Sequence, residues 1–175
     1  MRLLLTAQIL KRLRRELRRA GSSEIGGLLM GEHVGHDEFH VVDISVQRTG
    51  GSIASFVRDP ASHEAQLKAF FARTRGNFTR FNYLGEWHSH PMFAPVPSET
   101  DCRSMQSIID NPGVGANFVV LLVVKLAGHT KIEGTAMVFR PQLPSMNVVV
   151  LTEDLRLVSR IERMVHSWLG QWFKQ

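Results

Sequence analysis

The spacing of hydrophobic positions predicts strands and helices in alternation along the chain. A strand is expected over Arg2–Leu5, followed by a helix over Thr6–Ala20 whose apolar residues recur at helical intervals. Short apolar or alternating runs between turn residues predict seven further strands, at Glu24–Met30, Glu38–Val46, Ser52–Val57, Asn82–His90, 118–126, Lys131–Phe139 and Met146–Leu151. Helical patterns recur at Ala61–Arg75, at Ser98–Asp110 and from Thr152 onward. This order is typical of one α/β domain, a mixed sheet with helices on its faces.

Length and composition agree with a single domain of this class. The chain has 175 residues, of which 43% are hydrophobic, and this is enough for one core of ordinary size. No apolar run approaches the ~20 residues of a membrane span, and the first residues lack a signal-peptide cleavage pattern. We therefore expect a cytoplasmic protein that does not enter a membrane. The single cysteine, Cys102, excludes an internal disulfide.

Positive charge is concentrated in the first predicted helix. The formal net charge is +5, and residues 1–20 hold seven Lys or Arg and one Glu. This basic face could meet an acidic partner, nucleic acid or anionic lipid, but the pattern favours a solvated face. Because no aromatic residues are interleaved for base stacking, binding to nucleic acid is not expected.

The segment Gly85–Asp101, GEWHSHPMFAPVPSETD, holds the residues most typical of a chemical site. His88 and His90 are two residues apart on a predicted strand, so both imidazoles project from the same face. A proline then ends the strand, and the next predicted helix begins at Ser98 and carries Asp101 in its first turn. Two histidines and a carboxylate make three ligands, the number in catalytic zinc sites that leave a fourth position to water.

The same residues also fit interpretations without a metal. A His-x-His pair alone is common on a polar strand face, and Ser98 with Asp101 fits a helix capping box. Strand alternation turns Trp87 away from the ligand face, so it is expected in the core. Nitrogen ligands favour zinc over magnesium or calcium, which prefer oxygen. The combination of the histidine pair with the carboxylate at this spacing favours the metal site.

This pattern resembles the JAMM or MPN-plus metalloproteases of the JAB-domain superfamily. The signature of that family is an upstream glutamate, His-x-His, seven residues, Ser, two residues and Asp. In this chain it reads Glu24 within SSEIGGLLMG, then His88, His90, Ser98 and Asp101.

The resemblance extends over residues 2–150 and implies a fold. The expected fold class is α/β: a single MPN/JAB-like domain over residues 1–175, with a curved mixed β-sheet flanked by helices, of the cytidine-deaminase-like type. The zinc site would lie at an open edge of the sheet. Residues 152–175 are expected to form a C-terminal helix, whose role the sequence does not define.

The resemblance also implies a chemistry. One Zn²⁺ would be held by His88, His90 and Asp101, with water as the fourth ligand. Glu24 would act as general base and then general acid, and Ser98 would donate a hydrogen bond to the oxyanion. The implied reaction is hydrolysis of the peptide or isopeptide bond after the C-terminal, Gly-Gly type tail of a ubiquitin-like protein. That tail would lie extended along an edge strand.

Small prokaryotic members of this family accompany E1-like and E2-like enzymes, including those of antiphage conjugation systems, so such proteins are implied as partners. Two other functions stay open. A DNA-associated protein like the RadC branch shares the His-x-His-Pro and Pro-Ser-x-x-Asp patterns, and a non-enzymatic MPN scaffold would assemble through terminal helices. The sequence does not separate deconjugation from the processing of a precursor tail.

Overall fold

The structure is a computed structural model that describes residues 1–52, 56–128 and 130–153. Its elements are β1 Arg2–Leu5, α1 Ala7–Ala20, β2 Gly26–Gly35, β3 Glu38–Ile44, α2 Ala61–Arg73, β4 Phe81–Ser89, α3 Glu99–Asp110, β5 Val119–Ala127, β6 Lys131–Arg140 and β7 Leu143–Thr152. No helix within these ranges is long and apolar enough to cross a bilayer. The C-terminal helix predicted over 152–175 falls almost wholly outside the described residues.

The seven strands form one mixed sheet that closes into a barrel, in the order β1-β3-β2-β4-β5-β6-β7. The short strand β1 pairs in parallel with both β3 and β7, and β4 pairs in parallel with β5. The prediction of an α/β domain with a mixed sheet and flanking helices is confirmed. The expected open edge beside the site is wrong, because β2 and β4, which lead into the site, each have a neighbouring strand on both sides.

Helix α1 packs against the inner face of the barrel. Thr6 caps its first turn by accepting a hydrogen bond from the backbone N–H of Ile9, and the helix ends at Gly21. Its apolar stripe forms one buried cluster with inward-facing residues from all seven strands. Trp87 belongs to this cluster with 1% of its surface exposed, so the prediction that it lies in the core is confirmed.

The outer face carries the other two helices. Helix α3 covers β5 and β6 through Met105 and Ile109, which form a second buried cluster with strand residues that include Leu121 and Phe139. Helix α2 contacts β2 and β4. The outer face of β4 therefore lies between α2 and α3, and this is the face onto which strand alternation turns His88.

Two glycines allow β2 to approach its neighbours closely. A Cβ on Gly26 would lie 2.5 Å from the carbonyl oxygen of Trp87, and a Cβ on Gly27 would lie 2.3 Å from that of Ser45. Glycines inside a strand are typical of such close backbone approach. The strand itself begins at Gly26, two residues later than predicted, so Glu24 precedes it rather than lying within it.

The middle of the strand predicted over Ser52–Val57, residues 53–55, lies outside the described residues. On either side of it, Gly51 and Phe56 form an isolated antiparallel bridge. A Cβ on Gly51 would lie 1.9 Å from the carbonyl oxygen of Glu24, and the backbone N–H of Glu24 donates to the carbonyl of Ser52 at 2.8 Å. Gly51 and Ser52 therefore support the backbone at Glu24.

The close approach at Gly27 generates a stability prediction. Gly27→Ala places a methyl group against backbone atoms that cannot rotate away, so we expect the free energy of unfolding to fall by about 1–3 kcal/mol. Gly35→Ala is the matched control in the same strand, because a Cβ there has no atom within 4 Å. Denaturant unfolding of both variants tests this, and equal stabilities would contradict the close contact.

Candidate metal centre

The structure brings the three predicted metal ligands to one place. The Nε2 atom of His88 lies 3.1 Å from Nε2 of His90 and 3.6 Å from Oδ2 of Asp101. Ligand atoms from all three residues lie within 4.8 Å of one another. In a tetrahedral zinc site with bonds of ~2.0–2.1 Å, neighbouring ligand atoms are roughly 3.3 Å apart. The donor types and their spacing therefore fit one Zn²⁺ ion.

A backbone carbonyl orients His90. Its Nδ1 atom lies 3.0 Å from the carbonyl oxygen of Ala94. Because a carbonyl only accepts, Nδ1 carries the proton and Nε2 keeps its lone pair for a metal. Metal-binding histidines commonly donate their other N–H in this way. The sequence contains no signal for this contact, since it depends on the main chain of Ala94 and not on its side chain.

The predicted capping box at the start of α3 is confirmed. The Oγ atom of Ser98 accepts from the backbone N–H of Asp101 at 3.1 Å. In return, Oδ2 of Asp101 accepts from both N and Oγ of Ser98 at 2.7 Å. The hydroxyl proton of Ser98 thus points at Asp101, and Ser98 must rotate before it can donate to a substrate.

The surroundings of Asp101 keep it ionised. Burial alone raises the pKa of this carboxyl, but the interactions with His88 and with Ser98 outweigh burial and hold its pKa well below the ordinary value. An acid of low pKa remains an anionic metal ligand at any physiological pH.

Glu24 lies beside the three ligands although it is 64 residues before His88 in the chain. Its Oε1 atom is 4.0 Å from Nε2 of His90, and only 3% of the residue is exposed. Burial raises the pKa of Glu24, the nearby histidines lower it in part, and the negative charge of Asp101 raises it again. A buried carboxylate with a raised pKa beside such a cluster is suited to accept a proton.

A buried polar network holds the segment that flanks Glu24. The Oγ atom of Ser45 lies 2.7 Å from Nδ1 of His63, and Nε2 of His63 lies 3.2 Å from Oε1 of Gln47. The Nε2 group of Gln47 donates to the carbonyl of Val57 at 2.9 Å. Burial lowers the pKa of His63, which keeps it neutral in this network. The sequence carries no signal for these residues, because their contacts join elements that are far apart along the chain.

The connector after β4 is held through its backbone. The Nζ group of Lys125 donates to the carbonyl of Phe93 at 3.1 Å, and Oγ1 of Thr135 donates to that of Pro95 at 2.5 Å. These bonds come from β5 and β6 and, with His90, fix the path of the chain from the histidines to Ser98. Sequence analysis did not identify either donor.

Comparison with known proteins places the site in context. A sequence model of the prokaryotic homologs of the JAB domain matches residues 6–139. Among curated proteins, a CD-NTase/cGAS isopeptidase of Enterobacter hormaechei subsp. hoffmannii is 28% identical over 109 residues, which cover 62% of this chain and 59% of that protein. The protein of the same name from Vibrio cholerae serotype O1 is 33% identical over 105 residues, covering 58% and 61%. The match thus spans about three fifths of the length of each relative.

Two solved structures share the fold. A protein from Desulfitobacterium hafniense superposes with a TM-score of 0.62 at 21% identity, over 86% of this chain and 92% of that one. A protein from Salinibacter ruber superposes with a TM-score of 0.51 at 20% identity, over 88% and 92%. At these identities the likeness concerns the fold alone.

The burial of Glu24 predicts a pH-dependent stability in the metal-free protein. Because the folded pKa of Glu24 is raised above its ordinary value of 4.5, its contribution to stability is full below the unfolded pKa and is lost as the pH rises through the folded pKa. Glu24→Gln removes this ionisation. We therefore expect the metal-free variant to be more stable than wild type at pH 7, with the difference shrinking towards pH 4.

Thermal unfolding of both proteins in chelator across this pH range measures the effect. Glu133→Gln, at a position whose side chain is 43% exposed and lies away from the ligand cluster, controls for the loss of one negative charge. A variant that is less stable than wild type at pH 7 would show that Glu24 is not a desolvated carboxylate.

Proposed function

Because the chain belongs to the prokaryotic JAB-domain family, we propose that it is a zinc-dependent isopeptidase that releases a ubiquitin-like protein from its target. The observation that carries this proposal is the buried carboxylate of Glu24, with Oε1 4.0 Å from Nε2 of His90, beside a cluster fit for zinc. The name of the curated relatives, CD-NTase/cGAS isopeptidase, supports a CD-NTase-type protein as the target.

The proposed mechanism assigns a role to each side chain. His88, His90 and Asp101 would hold a Zn²⁺ ion, which would supply Lewis acidity and lower the pKa of a bound water. Glu24 takes a proton from the attacking water and passes it to the leaving amine of the target, acting as base and then acid. Ser98 turns its hydroxyl from Asp101 towards the substrate carbonyl and stabilises the developing oxyanion.

The proposed substrate is the extended, Gly-Gly type tail of a ubiquitin-like protein. Closure of the barrel changes how this tail would bind. Since β2 and β4 are paired on both sides, the tail lies across the outer face of β4 instead of adding a strand to an edge beside the site. E1-like and E2-like enzymes that attach the ubiquitin-like protein are the proposed partners of the same pathway, and conjugation in antiphage defence is its proposed setting.

The alternatives of a RadC-like DNA-associated protein and a non-enzymatic scaffold receive less support. Burying a carboxylate beside the ligand cluster destabilises the fold. A non-enzymatic scaffold would gain no function in return for that loss of stability. The basic face of α1 is in part neutralised: the buried Glu16 contacts the guanidinium groups of Arg15, Arg19 and Arg48. This favours a structural role for part of the basic helix over a DNA-binding surface.

Removal of the proposed base tests the mechanism. We expect Glu24→Gln to lower kcat for cleavage of a ubiquitin-like fusion by about 10²–10⁴-fold, because the amide cannot accept a proton. The variant should still bind zinc, since Glu24 is not among the proposed ligands. Activity is measured by release of the fusion partner and zinc by elemental analysis, with Glu133→Gln as control. Near wild-type turnover in Glu24→Gln would exclude Glu24 as the base.

Removal of a ligand tests the metal. We expect His88→Ala to lose both bound zinc and activity, while wild type purifies with about one ion per chain and is inactivated by chelator. His36→Ala is the control, because the side chain of His36 is 97% exposed and lies away from the site. Chelator-resistant cleavage, or full zinc content in His88→Ala, would contradict the assignment.

A further inference from the structure

A groove of about 820 Å³ opens on the surface of the barrel beside β2 and the first half of β4. Helix α2 contributes one wall, and the end of α3 with the 114–118 segment contributes the other. Its lining is mainly aliphatic and aromatic, and includes Leu28, Leu67, Tyr83, Ile108 and Phe118. Such a groove suits an extended peptide with apolar side chains.

Arg58 also lines this groove and forms an ion pair with Glu86. The Nε atom of Arg58 lies 2.5 Å from Oε1 of Glu86, with 24% and 14% of the two side chains exposed. Glu86 precedes His88 by two residues on β4, so their side chains share a face at an axial spacing of roughly 6.6–7 Å. Tyr83, in the lining of the groove, lies on the other side of Glu86 along the strand. Along β4, the pair thus lies between the groove and the metal ligands.

The surroundings of the pair favour a role beyond holding the fold together. A mostly buried ion pair contributes little net stability, because desolvation offsets the attraction and apolar residues of similar size often do as well. The Nε and Oε1 atoms are close enough to pair as opposite charges, but they do not meet in hydrogen-bond geometry. An arginine carries five N–H donors. A guanidinium held beside a carboxylate at the wall of a peptide-sized groove can present these donors to a bound peptide.

We propose that Arg58 is a substrate-binding residue that donates to a main-chain carbonyl of the bound tail, with the charge of Glu86 holding its guanidinium at the wall of the groove. The spacing from His88 to Glu86 corresponds to about two residues of extended peptide. The carbonyl that Arg58 meets is therefore that of the residue preceding the Gly-Gly pair, and the residues before it lie in the groove. This inference rests on the proposed function, since it takes the scissile bond to lie at the zinc ligands.

Two fluorogenic aminocoumarin amides test this inference: a hexapeptide with four apolar residues before Gly-Gly, and Gly-Gly alone with a free amino end. Only the hexapeptide contains the carbonyl and the groove-filling residues.

We expect Arg58→Met to raise KM for the hexapeptide about tenfold with little change in kcat, as for the loss of one hydrogen bond to a charged donor. The effect on the dipeptide should be much smaller, and Arg58→Lys should recover part of the loss. Arg2→Met is the matched control, since Arg2 pairs with Glu38 at 3.0 Å and neither residue lines the groove.

The double variant Arg58→Met/Glu86→Met separates substrate binding from a structural role. If the pair only secures the fold, replacing both partners by apolar residues restores stability and KM together. If Arg58 binds the tail, the double variant regains the wild-type midpoint of thermal unfolding, but its KM for the hexapeptide stays raised. Recovery of KM in the double variant would therefore overturn the proposal.

A binding measurement keeps this test independent of turnover. The Glu24→Gln protein is titrated with the hexapeptide by NMR, and we expect shifts at groove residues that need about tenfold more peptide in Glu24→Gln/Arg58→Met. Absence of binding at millimolar peptide would overturn the inference about Arg58 and the groove. It would leave the proposed hydrolase standing if a ubiquitin-like fusion is still cleaved in a zinc-dependent manner.

Discussion

The antiparallel pairing of β2 with β4 is the contact on which the proposed site depends. The register places Gly26 opposite His88, so that Glu24, just before β2, reaches the histidines at the end of β4. The hydroxyl of Ser89 accepts from the backbone N–H of Ile25 at 3.0 Å and secures this register at the strand ends. Side chains at Gly26 would clash with the partner strand, so the absence of a Cβ is a condition of the site.

The surroundings of the two carboxylates in the site shift their pKa values in opposite directions. Asp101 is hydrogen-bonded by Ser98 and lies close to His88, which lowers its pKa, whereas the burial of Glu24 raises its pKa. One group is thereby suited to remain an anionic ligand and the other to exchange a proton. Burial of an ionisable group costs stability in the metal-free chain, and binding of a cation would offset that cost because it favours the folded state.

Barrel closure determines where a substrate can approach. With α1 against the inner face and α2 and α3 outside, the outer face of β4 lies between the two outer helices, where Tyr83 and Glu86 are partly exposed and His88 is nearly buried. Two described residues before α2 contribute to the site, since Gly51 packs on Glu24 and Arg58 pairs with Glu86. In the first turns of α2, His63 contacts Ser45 and Gln47 and holds the helix on the barrel. Residues next to this helix thus support both the proposed base and the proposed tail contact.

The sequence alone determined the features that depend on residues close to one another along the chain. Strand alternation gave His88 and His90 a common face and turned Trp87 into the core, and the turn chemistry at Ser98 placed Asp101 in the first turn of α3. Residues a few positions apart are held by backbone geometry, so their relation can be read from spacing. Glu24 was assigned from the family pattern, since no local spacing relates it to residues so far along the chain.

Only the tertiary structure decided which distant segments meet. Strand register and backbone packing set these relations. Examples are the closure of the sheet through β1, the contact of His90 with the carbonyl of Ala94, and the pairing of Arg58 with Glu86. The same holds for Gly51, whose lack of a side chain allows its backbone to pack against Glu24, 27 residues earlier in the chain. Local patterns encode the elements, but packing between them places the groups that complete the site.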